Sequence, residues 1–598
     1  MGNCFSIKSD RRPRFVAEDV VDSDPWVDEA RMSSLDPSKR FVLTIIRGSQ
    51  PDKISNARMI NHVDFWDEYS FENPPVVLGM GISGPVYRIQ SRRSPAMKYA
   101  LKRLPVTSPF TLAEVSIYLE IDHPNIARIF EVYHAKDDPI DPDGGMLFLV
   151  TELCNGGDLY SLLKRERHMN EIVAVDITRQ ILRAVHYLNS INIVHGDIKL
   201  ENFVFATSCG GRRSINLKLI DFGFSAKLEF KEPGQDTRII PAGQYKGKVF
   251  VAADSAARTV AVCGSPLYVA PETARGGRSL KSDVWSVGVM VFMMLFGKSP
   301  FKGTTFDQIV ADIDANRDDL IAWILSTENK IKVSKDAIDF IDRCLTVDPE
   351  ERISAHDALS HKWITSLSPK RGQNVKESDL ELCRQLITEF ASYGPLKRAC
   401  LCLIALHAPP IKIFPQIENV FDYVDANGNG YIEEEDLRTT LFGPNMDHDL
   451  FGKLDLFQDC RINFSEFLAA TEVNRALQMI EPAFITPGVP MDRGLSGVDI
   501  TGSLRRPSTM PGVPPDLVKV YEGIVDSVFR KLDVDKTSKI SHSNLRKLFG
   551  RKGYQGSGVP EMIKEADYTG DGVIGKEEFF TMLFSSTSAL HLSNSNIN

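Results

Sequence analysis

The sequence predicts an α+β chain, strand-rich near its beginning, helical after that, and closed by an all-α region of repeated helix–loop–helix windows. Two observations carry this. Val76-Val77-Leu78, the glycine-rich run Gly79-Met80-Gly81-Ile82-Ser83-Gly84 and Val86-Tyr87-Arg88-Ile89 are followed by another strand at Tyr99–Lys102. β-branched and aromatic residues follow the glycines, not a helical pattern, so the run reads as a hairpin lid and not as a dinucleotide-binding turn. Past Trp363, four twelve-residue windows in two pairs carry Asp, Asn or Ser at alternate positions around a central turn. At 598 residues the chain exceeds one hydrophobic core, so several domains are expected.

Composition narrows the function. A net charge of −9 argues against nucleic acid as a partner. Nine cysteines without paired metal spacing suit reduced thiols. The longest apolar run, Val284 to Phe296, is too short to span a bilayer, and no secretory signal opens the chain. Membrane attachment is therefore expected to be covalent or peripheral. Met1-Gly2-Asn3-Cys4-Phe5-Ser6 fits myristoylation of Gly2, with Cys4 placed for a palmitoyl group. One acyl chain binds only marginally, so the second anchor matters, and Lys8, Arg11, Arg12 and Arg14 add a basic patch for anionic lipid. The expected location is the cytoplasmic face of a membrane, with a cytosolic fraction.

The chemistry concentrates between His195 and Gly223. There the chain reads H-G-D-I-K-L-E-N at 195–202 and L-K-L-I-D-F-G at 217–223. Phosphoryl transfer requires an acceptor hydroxyl held in line and divalent cations clamped on the phosphates. Asp197 is placed to accept the hydroxyl proton, Lys199 to lie beside the transferring phosphate, and Asn202 and Asp221 to hold Mg²⁺. The pattern resembles the protein-kinase catalytic core, and the resemblance covers about residues 70–364. It implies a bilobal fold, ATP as donor and Ser/Thr acceptors, since Lys199 follows Asp197. The ATP site would comprise Gly79, Met80, Gly81, Gly84 and Val86 of the lid, with Ala100 and Lys102 of Y-A-L-K. Glu114 would hold Lys102. Thr151 would be the gatekeeper, with the backbones of Glu152 and Cys154 facing adenine. Asp158 would face ribose or, with Glu201, a basic substrate side chain. Ser265 belongs to the peptide-positioning segment Gly264–Glu272, and Glu272 would pair internally with Arg352.

Three features depart from that family. The arginine expected between histidine and aspartate is Gly196, so no phosphorylated activation loop is expected to be needed. The connection from Lys102 to Glu114 is short, which predicts a helix shortened by a turn. The segment around 230–260 is an insertion rich in Gly, Pro and Lys, read as a mobile loop.

Of the four C-terminal windows, two are complete. In the first, Asp425, Asn427, Asn429, the Tyr431 carbonyl and Asp436 would bind Ca²⁺; Asp436 is shorter than the usual Glu and weakens selectivity against Mg²⁺. In the last, Asp567, Thr569, Asp571, the Val573 carbonyl and Glu578 would do so. The windows 455–466, with Phe457 and Cys460, and 533–544, with Ser538 and Asn544, read as structural halves. Kinase, junction and four such windows in this order resemble the calcium-dependent protein kinases of plants and alveolate parasites. The division is 1–69 acylated extension, 70–364 kinase, 365–415 junction, 416–475 first EF-hand lobe, 476–515 linker and 516–585 second lobe. A monomer acting on protein substrates near basic residues is expected. In the junction, Leu382, Leu386 and Phe390, then Leu396, Cys400, Leu403 and Ile404, form apolar stripes. They suit either a connector or an autoinhibitory helix that calcium-loaded lobes remove. A kinase indifferent to calcium, or a scaffold without activity, are the alternatives.

Overall fold

The computed structural model describes residues 58–60, 64–81, 84–105, 109–135, 145–207, 216–229, 251–252, 264–326, 329–367, 375–407, 417–484, 515–549 and 558–584. Gly2, Cys4, the basic residues beside them, most of the 230–260 insertion and most of the 476–515 linker lie outside the described residues.

The glycine-rich hairpin opens a six-stranded sheet. Its strands are β1 (Met59–Ile60), β2 (Tyr69–Gly81), β3 (Gly84–Ser91), β4 (Lys98–Pro105), β5 (Ile129–Ala135) and β6 (Met146–Thr151), in the order β1-β5-β6-β4-β3-β2. All neighbours are antiparallel except β1 and β5. Helix α1 (Pro109–Glu120) crosses between β4 and β5. The register sets Lys102 opposite Val86 on one side and Leu149 on the other, so the lysine lies under the lid.

The second lobe is helical. Helix α2 (Glu171–Ser190) starts on Asn170, whose side chain accepts from Val173 N. It packs against α3 (Ser282–Phe296), whose residues are all buried, as a helix apolar on every side must be. The short strands Phe203–Phe205 and Leu217–Leu219 pair and bracket the catalytic stretch. Arg352 and Glu272 form a fully buried, bidentate pair at 2.7 and 2.9 Å that ties the peptide-positioning segment to the lobe.

Past Leu367 come α4 (Glu377–Ser392) and α5 (Pro395–His407), then the paired helix–loop–helix lobes. Within each lobe the two loops are joined by one short bridge, Ile432 to Ile462 and Ile540 to Ile574. Helices α6 (Pro515–Leu532) and α7 (Val559–Ala566) enter the two loops of the second lobe. All of α5 after Pro395 is buried, and one continuous apolar core joins the sheet, both junction helices and both lobes. The junction stripes thus find their apolar partners in the lobes and the sheet.

Removing one partner of a buried ion pair strands the other charge, at a cost of roughly 3–5 kcal/mol. Glu272→Gln should therefore lower the melting temperature of the kinase by on the order of 10 °C, measured calorimetrically. A shift of a degree or less would mean that the pair is not structural.

Candidate active site and calcium loops

The lysine under the lid is held by two carboxylates from different elements. Lys102 Nζ is 2.5 Å from Glu114 on α1 and 2.8 Å from Asp221. Burial works against its charge, but Glu114 and Asp221 outweigh burial and hold the ammonium above the ordinary lysine range. Burial also opposes the charge of Asp221, yet Lys102 keeps it below the usual carboxylate value. At Glu114 burial wins over Lys102, and its carboxyl is raised. The short connection after Lys102 has therefore not displaced the helix: α1 keeps three turns, and Glu114 reaches its partner. Phe222 is packed between Tyr118 of α1, 4.7 Å away, and His195, 5.0 Å away, so the helix, the Asp221 turn and the catalytic stretch are joined by ring contacts.

The catalytic stretch hangs from α3. Asp283, wholly buried, accepts from the backbone N–H of His195 at 2.8 Å and of Gly196 at 3.0 Å. Burial holds the His195 imidazole below its ordinary pKa, and Asp197 N donates to its Nδ1. Asp197 is almost fully buried. Its Oδ1 accepts from Ser265 N at 3.0 Å and Ser265 Oγ at 3.2 Å; its Oδ2 accepts from Lys199 at 2.6 Å and Asn202 at 3.1 Å. Four donors converge on one carboxylate and fix its orientation, which is what a proton acceptor for an incoming hydroxyl needs. Asn202 spends its amide N–H on Asp197, which leaves its carbonyl oxygen for a cation. With Asp221 alongside, the residues suit ATP and Mg²⁺: Asn202 and Asp221 would hold the metal, and Lys102 the α- and β-phosphates. The metal would neutralise phosphate charge.

At the hinge, Glu152 N donates to Arg128 O at 2.8 Å, so the carbonyl of Glu152 is its group free for adenine. The Glu152 side chain pairs with Lys218 at 3.1 Å. Burial pushes the Cys154 thiol far up, so its backbone and not its sulfur is the useful part. Asp158 has a structural role that the sequence reading did not include. Both its carboxylate oxygens are engaged by Ser161, N at 2.7 Å and Oγ at 2.8 Å, where it caps the helix Leu159–Glu166. Glu201 is exposed and accepts only a long hydrogen bond from Tyr268 at 3.3 Å, so it is the better placed of the two for a basic substrate.

The calcium loops carry their carboxylates inward. In the last loop, ligand oxygens of Asp567, Asp571 and Glu578 lie within 4.8 Å of one another, a spacing that fits one Ca²⁺. Thr569 joins them, its N–H donating to Glu578 at 2.9 Å. In the first loop, Asp425 accepts from Asn429 N and Gly430 N, while Asp436 accepts from Ala426 N and Glu433 N. Asn427 accepts from Asn429 N, and Asn429 from Tyr431 N. Burial raises the Asp425 carboxyl to about 7. The two windows that lack the turn glycine close into the same shape. Gln458, Cys460, Lys536 and Ser538 take positive φ of 55°, 62°, 56° and 61°, the strain that glycine would avoid. Each is held by its paired loop through the bridge.

Sequence reasoning missed how these lobes meet the kinase. Glu131 of β5 is buried and paired with Lys531 of α6 and with His407, 3.2 Å away at the end of α5. Arg128 donates to Ala405 O at 2.5 Å and to Ser465 Oγ at 2.8 Å. Glu565 of α7 accepts from Leu396 N at 2.7 Å and Lys397 N at 3.1 Å, capping α5. Tyr431 packs on Tyr187, and Arg183 pairs with Asp422. These partners lie at least 168 residues apart, and no local pattern announces them.

Comparison with known proteins agrees with this geometry. Residues 74–364 match the protein kinase domain model and residues 414–472 an EF-hand domain pair. The chain is thus a serine/threonine protein kinase carrying EF-hands. It is 25% identical to calcium-dependent protein kinase 4 of Plasmodium falciparum, over 85% of each chain. With calcium-dependent protein kinase 3 of Plasmodium berghei it shares 26% identity, over 86% of this chain and 80% of that one. It shares with these calcium-dependent protein kinases a kinase domain followed by EF-hands.

Asp197→Asn should abolish peptide phosphorylation, by at least about a hundredfold, while ATP binding persists, because only the proton acceptor is lost. Asp221→Ala should in addition lose Mg²⁺-dependent nucleotide affinity, read by fluorescent-nucleotide titration. Normal turnover in the Asp197 variant would contradict the assignment.

Proposed function

We propose that calcium activates this kinase by tightening a clasp of its EF-hand lobes on the back of the nucleotide lobe. The observation that carries the reading is the position of α5, buried between both lobes and against β5. That strand is hydrogen-bonded to β6, which leads into the hinge. Glu565, two residues before the first ligand of the last loop, holds the N-terminal amides of α5. A calcium-driven shift of α7 therefore acts directly on the junction helix. Coupling of this kind is typically worth about 1–3 kcal/mol per effector, and two complete loops provide two effectors. This supports a shallow calcium response dominated by Glu578 and Asp436.

The acceptors are Ser/Thr residues near basic side chains, which Glu201 suits. The acyl anchor at Gly2 and Cys4 would hold the enzyme on the cytoplasmic face of a membrane. No helix among the described residues is long and apolar enough to cross one.

A chain ending at Leu367 lacks the clasp. Its peptide phosphorylation should fall roughly 5- to 150-fold below that of the calcium-loaded full chain, the range of a 1–3 kcal/mol coupling. A shortened chain that is fully active without calcium would establish instead that residues 365–415 inhibit the kinase. Gly2→Ala should move the protein from membrane to soluble fractions; retention would point to a protein partner in place of the acyl group.

A further inference from the structure

Gly196 stands where the family resemblance places an arginine, and the space around it is already filled. Its φ is +76°, and a Cβ there would lie 2.8 Å from Phe224 O and 3.5 Å from the guanidinium of Arg278. Phe224 is the residue immediately after Asp221-Phe222-Gly223, at the root of the activation segment. Arg278 Nη1 donates to Phe224 O at 2.9 Å. The same guanidinium lies beside Gly196, whose N–H, with that of His195, is carried by the buried Asp283; burial raises the Asp283 carboxyl, and the Arg278 charge acts in the opposite direction. One cation thus links the support of the catalytic stretch to the root of the activation segment.

The segment is held at other points without phosphate. Ala226 and Lys227 pair with Val194 and Ile193. Ser225 Oγ donates to His195 O at 3.2 Å. At the far end, Gly264 has φ +105° and approaches Gly196 O so closely that a Cβ would be 2.8 Å from it. The next residue, Ser265, lies on Asp197. Because Gly196 has no side chain, Phe224 O sits against it, and because Gly264 has none, its backbone sits against Gly196 O.

We propose that Arg278 is the positioning residue that replaces the missing catalytic-loop arginine and its phosphate partner. It is a built-in cation that keeps the activation segment in its peptide-binding arrangement. Arg278 acts through Phe224 O and Asp283, not on the substrate. The proposal rests on the protein being a kinase, as concluded above.

The test uses the full chain, native and Arg278→Gln, with calcium, ATP and a basic Ser-containing peptide. Hydrogen bonds to charged groups set the expected loss in peptide kcat/KM at about tenfold to a hundredfold, with nucleotide Kd unchanged within about twofold. Amide exchange should accelerate in peptides covering 222–229 and 264–270 and stay native in α2. Arg278→Lys, which keeps the charge and one donor, should retain more activity than the Gln variant and covers the case in which that variant does not fold. Phosphatase treatment of the native enzyme should leave its rate unchanged. Native kcat/KM and native exchange in Arg278→Gln would overturn the proposal, as would exchange raised uniformly through the helical lobe. A large loss after phosphatase would overturn it too, by showing that a phosphate holds the segment. If the native enzyme transferred no phosphate, the kinase conclusion would fall, while the exchange measurement would still decide the role of Arg278.

Discussion

A carboxylate on a central strand, cut off from water, must be paired from outside its own sheet. Glu131 is in that position. Tyr69 and Tyr133 donate to it from within the nucleotide lobe, but its counter-charge comes from Lys531 of the second EF-hand lobe. Burial would raise its pKa; Lys531 and His407 more than cancel this and hold it far below the ordinary carboxylate range. A group with a depressed folded pKa contributes its full stability above its unfolded pKa, and loses it progressively as pH falls from there through the folded value. The Glu131 charge is therefore fully in place at neutral pH. The partner His407 behaves oppositely: burial and Lys531 lower its pKa to about 4, so it is neutral in the clasp. Below its unfolded value near 6.5, protonation favours release.

This arrangement changes what the calcium lobes are for. An ion pair spanning two domains inside an apolar core is costly to leave half-made. The nucleotide lobe, with Glu131 buried, is thus poorly suited to stand alone, and the lobes complete it. Further pairs continue the seam: Arg93 with Asp526 at 2.5 Å, and Arg530 with Glu68 at 3.1 Å. The site itself is preorganised by other means, the two carboxylates on Lys102 and the four donors on Asp197. In the proposed clasp, calcium acts on the frame around a site already assembled.

The site was legible because its chemistry dictates residue type at fixed spacing. Lys102, Asp197, Asn202 and Asp221 have few alternatives once phosphate, metal and a hydroxyl must meet. The fold class followed from the glycine hairpin and the repeated loops. For Asp158 the sequence showed a ligand-facing carboxylate but not that it also caps the helix, with Ser161 three residues later as donor. The loops with Cys460 and Ser538 read as damaged because positive φ is costly for side chains; pairing with an intact neighbour overrides that cost. The junction stripes announced burial but not against what, since apolar periodicity carries no address. Glu131 was invisible: it is one residue in a strand, and its meaning lies in Lys531, which only the tertiary structure brings near.

The most direct test of the clasp is a double-mutant cycle between Glu131→Gln and Lys531→Met, read as the free energy of calcium activation. If the lobes brace the kinase through this pair, each single change should weaken activation, and the double variant should recover part of the loss. The coupling should be at least about 1.5 kcal/mol, as for close charge pairs across interfaces. Additive effects, with coupling below about 0.5 kcal/mol, would contradict the account.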